Sequence, residues 1–238
     1  MFALTIISHC CVVMVVDATR TGWSQCNDIL NSRASVDGHI TNCTSSNTIT
    51  ITITCPSYGA PYLSHYNDLY PYRDFARYNG KDTVCIRFRR QYSQQCGVIL
   101  GEYFTYWIMG SGTNIRNLNL ENNNIVGLEQ WTFYYADTIE HLDLEIGNTI
   151  STIGYMAFSG LDQLTHLRLR GQNIRRIERS TFVSYYMSNL KVLDLRCSNI
   201  EDISVFAFRY RSYGLRNMDI VNLRFNEMNH LHRKSFAL

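Results

Sequence analysis

Ten polar side chains recur in this chain at two fixed places of a repeating frame. The first row is Asn119, Asp143, Arg168, Asp194 and Asn222. The second, two residues on, is Glu121, Glu145, Arg170, Arg196 and Arg224. Each first-row residue is flanked by apolar neighbours, as in Leu118-Asn119-Leu120 and Leu167-Arg168-Leu169. Such rows suit ion pairing and hydrogen bonding to another macromolecule. Arg168, between two aspartates, fits a cross-strand ion-pair ladder. Arg170, Arg196 and Arg224 in succession are expected to repel unless something neutralises them. The expectation is therefore that this part of the surface binds an acidic patch or an anion. A third row, two residues before the first, reads Asn117, His141, His166, Val192 and Ile220. His141 and His166 would need a third ligand, such as Asp143 or Glu145, to hold a metal. They are read as surface histidines able to tune binding near pH 6.5, and no metal or cofactor is expected.

Catalytic patterns are missing. There is no Gly-x-Ser-x-Gly, no His-Glu-x-x-His and no phosphate-cradling glycine loop, and nothing in the Ser, His and Asp spacing assembles a triad. The chain is not expected to be an enzyme.

The rows are carried by a unit that repeats from Ile115 onward. Its centres are Leu118-x-Leu120, Leu142-x-Leu144, Leu167-x-Leu169, Leu193-x-Leu195 and Val221-x-Leu223, spaced 24, 25, 26 and 28 residues apart. Ile115, Ile139, Leu164, Leu190 and Met218 precede them by three. A second apolar pair follows (Ile125/Leu128 to Met228/Leu231), then a phenylalanine: Phe133, Phe158, Phe182, Phe208 and Phe236. Leu-x-Leu alternates with period two, which predicts a short strand with its leucines inward. One such strand cannot bury its apolar face. Side-by-side stacking gives a parallel sheet, a continuous core and a phenylalanine wall on the convex side. The polar rows then face outward on the concave side, about 4.8 Å apart along each row.

These repeats resemble the extracellular leucine-rich-repeat family, of the kind seen in Toll-like receptor ectodomains, Slit-type proteins and secreted insect immune proteins. Leu118, Leu120, Asn123, Ile125, Leu128 and Phe133 carry the resemblance. The family's asparagine, three residues after the second strand leucine, is Asn123 and Asn226 in the outer copies but Gly147, Gln172 and Ser198 between them. Copy two has one extra residue between Leu144 and Ile150. A more regular set, Asn124, Asn148, Asn173 and Asn199, is read as shaping the bend. The resemblance implies an α/β-class, β-rich solenoid that recognises a protein on its concave face, as in innate immunity or adhesion. The ligand-binding residues expected are Asn119, Glu121, His141, Asp143, Glu145, His166, Arg168, Arg170, Asp194, Arg196, Asn222 and Arg224.

The 238-residue chain has a net charge of +2. Residues 1–18 read as a secretory signal peptide ending at Val16-Asp17-Ala18. The alternative is a buried first strand. No later stretch has the roughly 20 apolar residues of a membrane span. The protein is expected to be secreted or extracellular, with no nucleic-acid partner. Residues 19–110 read as a cysteine- and tyrosine-rich N-terminal cap stapled by disulfides, with strands at Thr48–Thr54 and Val84–Phe88. Residues 96–110 suggest a degenerate repeat with Ile99 and Phe104 in its core. Disulfide candidates are Cys26, Cys43, Cys55, Cys85 and Cys96. The expected pairs are Cys85–Cys96, and Cys26 with Cys43 or Cys55. Asn42-Cys43-Thr44 is a glycosylation sequon at Asn42. Residues 111–238 hold five repeats, the last uncapped. That open end, or Cys197, could support a homo- or heterodimer. The alternative is a truncated ectodomain of a Toll-like or adhesion receptor.

Overall fold

The computed structural model describes residues 13–15, 43–55, 62–63, 81–90, 97–109, 114–182, 186–210, 213–214, 217–232 and 234–235. Cys26, Asn42, Cys96 and Phe236 lie outside them, as do most of residues 1–18 and of the tyrosine-rich segment.

Eight parallel strands form the concave sheet. Along it run β2 (Thr48–Cys55), β4 (Thr83–Arg90), β6 (Asn117–Asn119), β8 (His141–Asp143), β10 (His166–Arg168), β12 (Val192–Asp194), β16 (Ile220–Asn222) and β1 (Val13–Val15). The register is unbroken: Leu118 pairs with Leu142, Leu142 with Leu167, Leu167 with Leu193, and Leu193 with Val221. All five are buried. The far side of the core carries two smaller parallel sheets. One holds β3 (Tyr62–Leu63), β5 (Val98–Leu100), β7 (Ile125–Leu128) and β9 (Thr152–Ile153). The other holds β11 (Arg176–Ile177), β13 (Asp202–Ile203) and β17 (His230–Leu231). A short helix, α1 (Phe104–Met109), and an antiparallel hairpin of β14 (Arg209–Tyr210) and β15 (Tyr213–Gly214) complete the elements.

The phenylalanine wall is a stack of rings. Phe133 and Phe158 lie 5.7 Å apart and within 3° of parallel, Phe158 and Phe182 5.6 Å apart, and Phe182 and Phe208 5.4 Å apart.

Upstream of the first leucine copy the sheet continues through β4 and β2. Val84 pairs with Leu118 and Ile49 with Val84, so Ile49-x-Ile51 and Val84-x-Ile86 occupy the Leu-x-Leu places. The β segment is stapled by a disulfide, but the staple is Cys43–Cys85. This replaces the expected pairing of Cys85 with Cys96 and of Cys26 with Cys43. Cys85 stands in the Asn119 row of the concave sheet, and Cys43 lies in the turn leading into β2. Cys197 is also disulfide-bonded, so it is not a free thiol. On the far side of the same unit as β4, Val98, Leu100 and Phe104 are buried while Ile99 is only partly so. The core there is Val98/Leu100 and not Ile99, because strand alternation turns Ile99 away. At the other edge, the backbone of Val13–Val15 pairs with Ile220–Asn222. These residues, within the stretch read as a signal peptide, add a strand beside the last described repeat.

The asparagine ladder is more complete than the spacing predicts. Asn123 is buried, donates to the carbonyls of Ile86 (2.8 Å) and Leu120 (2.9 Å), and accepts from the Phe88 amide (2.8 Å). In copy two the extra residue moves the role on by one. Asn148 donates to Leu120 and Leu144 and accepts from the Ile125 amide at 3.0 Å. Gln172 donates to Leu144 and Arg170, Ser198 donates to Leu169, and Asn226 donates to Leu195 and Leu223. The residue before each of the five is left-handed: Asn122, Gly147, Gly171, Cys197 and Phe225. Of the set expected to shape the bend, only Asn124 and Asn199 have positive φ. Removing Asn148 orphans several buried backbone groups at once. Asn148→Ala is expected to cost at least about 2 kcal/mol, whereas Ser198→Asn, which supplies a second donor, should stabilise by about 1 kcal/mol. Chemical denaturation of the two variants measures both.

Candidate functional site: the concave face

The parallel register brings the predicted rows together. Residues 119, 143, 168, 194 and 222 are aligned across five strands, with Cys85 and Thr50 extending the row upstream. Burial separates the predicted residues into two groups. Asn119, Asp143, Glu145, Arg168, Arg170, Asp194 and Asn222 are buried. Glu121, His141, His166, Arg196 and Arg224 are partly exposed. The first group supports the face. The second is what an incoming surface can touch.

The arginines have carboxylates of their own. Arg168 Nη1 lies 2.6 Å from Asp143 Oδ1 on the neighbouring strand, and both side chains are 4% exposed. Arg170 Nη2 lies 3.0 Å from Glu145 Oε2, again one strand away. Arg196 instead pairs with Asp194 of its own strand, through Nε at 2.9 Å and Nη2 at 2.5 Å. Asp194 is thus held by Arg196, and Arg168 pairs with Asp143. The repulsion expected among Arg170, Arg196 and Arg224 is met from within at Arg196, by Asp194, while Arg170 keeps Glu145 as its neighbour. The Arg224 guanidinium lies over the Phe225 ring, 5.0 Å from its centroid. Arg87 of β4 extends the arginine and glutamate row upstream. It donates to Asn119 Oδ1 at 3.1 Å, and Asn119 Nδ2 donates to Glu121 Oε2 at 3.1 Å. The signal for Arg87 was the apolar alternation of Val84-x-Ile86.

Burial sets the protonation of one member. Glu145 is pushed from its ordinary 4.5 up to about 8, because desolvation outweighs the opposing attraction of Arg170, with Asp194 and Asp143 pushing the same way as burial. A carboxyl whose folded pKa is raised binds its proton more tightly folded than unfolded. Its favourable contribution is complete below pH 4.5 and is lost as pH rises through about 8. Thermal stability should therefore climb as pH falls from 8 towards 5, and Glu145→Gln should flatten that slope. Melting curves across this range, wild type against variant, check it.

The His141 and His166 rings stack, with centroids 4.5 Å apart. The carboxylates considered as a third metal ligand are both committed to arginines, Asp143 to Arg168 and Glu145 to Arg170. Among the described residues no three His, Cys, Asp or Glu side chains converge as a metal site. Also among them, no helix is long and apolar enough to cross a membrane. On the convex side Arg175 faces Glu201 at 3.8 Å and Arg176 faces Asp202 at 3.1 Å.

A leucine-rich-repeat family model matches residues 113–174. Human Toll-like receptor 3 is 27% identical over 52% of this chain and 17% of the receptor. Toll-like receptor 3 of Boselaphus tragocamelus is 36% identical over 37% of the chain and 9% of the receptor. Among solved structures, a Toll-like receptor 13 chain in complex with ssRNA13 aligns over 72% of this chain and 28% of its own length, at 16% identity and a TM-score of 0.33. The chain spans less than a fifth of the curated relatives it matches.

Proposed function

We propose that this chain, a leucine-rich-repeat protein whose sequence resembles part of Toll-like receptor 3, recognises a protein ligand with the concave face of its sheet. It would act outside the cell or in a compartment of the same topology, in innate immunity or adhesion. The observation that carries the reading is the paired charge of the face. Buried Arg168 already holds the Asp143 carboxylate and Arg196 holds that of Asp194, so neither is a bare cationic site. A simple anion would have to displace those carboxylates. A protein surface presenting both signs can instead meet the partly exposed margin, Glu121, His141, His166, Arg196 and Arg224, without disturbing the pairs beneath. A mixed-charge protein surface therefore fits better than a purely acidic patch or a nucleic acid. No catalytic step belongs to this reading.

The test begins with capture of a partner from extracellular fluid by the immobilised chain. Its affinity is then compared for wild type, Glu121→Arg, Arg224→Glu and the convex control Glu201→Arg. Both concave changes should weaken binding at least about tenfold, about 1.4 kcal/mol, and the control should not. Equal affinities would remove the concave face. Tight binding of single-stranded RNA with a steep salt dependence would replace the protein ligand by nucleic acid. The short span of the relatives favours a second reading, a portion of a receptor ectodomain. Transcripts that encode further repeats in frame would support it.

A further inference from the structure

The convex side of the first repeats carries an aromatic ridge that the concave reading leaves unused. Tyr103 stacks on Trp131 at 6.2 Å and meets Tyr134 edge-on at 5.8 Å. Tyr135 packs against Tyr134 at 4.5 Å and Tyr106 at 5.1 Å, yet remains 50% exposed. Three of these residues hold left-handed backbone: Tyr103 (φ 58), Trp131 (φ 53) and Tyr135 (φ 68). Trp131 follows a turn shared by later repeats, since Met156, Ser180 and Phe206 are also left-handed. Tyr135 is different. Two residues after its phenylalanine, the next repeat has Gly160 (φ 90), the residue this conformation favours. A tyrosine in a glycine place is a local backbone cost, and its ring, packed on Tyr134 and Tyr106, is still half exposed.

The setting of the ridge is acidic. Outside the concave rows, residues 97–164 contain five carboxylates, Glu102, Glu129, Asp137, Glu140 and Asp162, and one base, Arg116. Arg116 is held by Glu140 at 3.2 Å. Asp137, two residues past Tyr135, is exposed. So is Asp162, two residues past Gly160, whose backbone lies against that of Tyr134 and Tyr135. The two carboxylates share one field: Asp162 is shifted up by partial burial and then by Asp137.

We propose that this ridge is a docking site for an arginine-bearing segment of a partner protein, separate from the concave face. Ring faces attract a cation through their quadrupole, and the flanking carboxylates supply acceptors. A guanidinium fits both at once, being planar, weakly hydrated and able to stack while its edge donates hydrogen bonds. An ammonium is compact and strongly hydrated and satisfies only the charge.

The probes are fluorescent nona-arginine and nona-lysine peptides, titrated against the full chain by anisotropy. Nona-arginine should bind about 5- to 10-fold more tightly than nona-lysine. Tyr135→Gly, which leaves the concave acids intact and suits the left-handed backbone, should abolish that preference with the melting temperature little changed. Asp137→Asn/Asp162→Asn should weaken both peptides. Equal binding of the two peptides, or a preference that survives Tyr135→Gly, would overturn the proposal and leave only diffuse attraction between charges. Should Tyr135→Gly fail to fold, Tyr135→Asn, whose side chain also tolerates left-handed backbone, takes its place, and a preference that survives it overturns the proposal. Sedimentation completes the test: self-association of wild type that Tyr135→Gly removes would assign the ridge to a second copy, against the proposal.

Discussion

Phe158→Ala should lower the stability of the solenoid by about 3–5 kcal/mol. The ring is buried and lies between two others, Phe133 at 5.7 Å and Phe182 at 5.6 Å, nearly parallel to both. Truncation removes the transfer free energy of the ring and leaves a void. The neighbouring rings belong to repeats whose spacing is fixed by two sheets, so the stack cannot close over it. In a solenoid each unit draws its stability from the interfaces on either side, and Phe158 takes part in two of them. Denaturant titration of wild type and Phe158→Ala measures the loss. A loss under about 1 kcal/mol for Phe158→Ala would mean that the stack is not part of the core's stability.

The second large effect is expected at the concave face. Arg168→Ala leaves Asp143 as a buried carboxylate without its cation, and should cost about 3–5 kcal/mol. The pair is short, at 2.6 Å, and scarcely reached by solvent. The cost reflects the exposed penalty of a lone buried charge, not a large net value of the pair. The double variant Arg168→Met/Asp143→Leu, which removes both charges and keeps the volume, should therefore recover most of the loss. A double variant no better than Arg168→Ala would show that the pair has no such coupling. The same reasoning explains the choice of Glu121 and Arg224 to probe binding. Changes at Arg168 or Arg170 would disturb folding before they reported on a ligand.

The leucine rows and phenylalanine stack were legible in the chain because both depend on a period. Residues at equal places in a repeat occupy equal places in space, and five copies leave no other register. Two upstream strands were harder to place. Ile49 and Val84 stand 35 residues apart, and Val84 stands 34 before Leu118, so inserted residues break the period there. The strands themselves were evident from alternation, but membership in the same sheet was not. The ladder shift at Asn148 has a similar origin. One added residue moves the amide along the chain while its carbonyl partners stay in place.

Sequence alone determined the solenoid, its inward faces and the identity of the polar rows, since these follow from side-chain alternation and repeat length. Tertiary structure decided how the charges are shared. Arg168 turns to Asp143 and Arg196 to Asp194, and Cys43 is joined to Cys85. Such choices rest on differences of an ångström or so between side chains on neighbouring strands. A linear pattern gives which residues share a row, and only their positions in space give which acid each base reaches and which of them water can still touch.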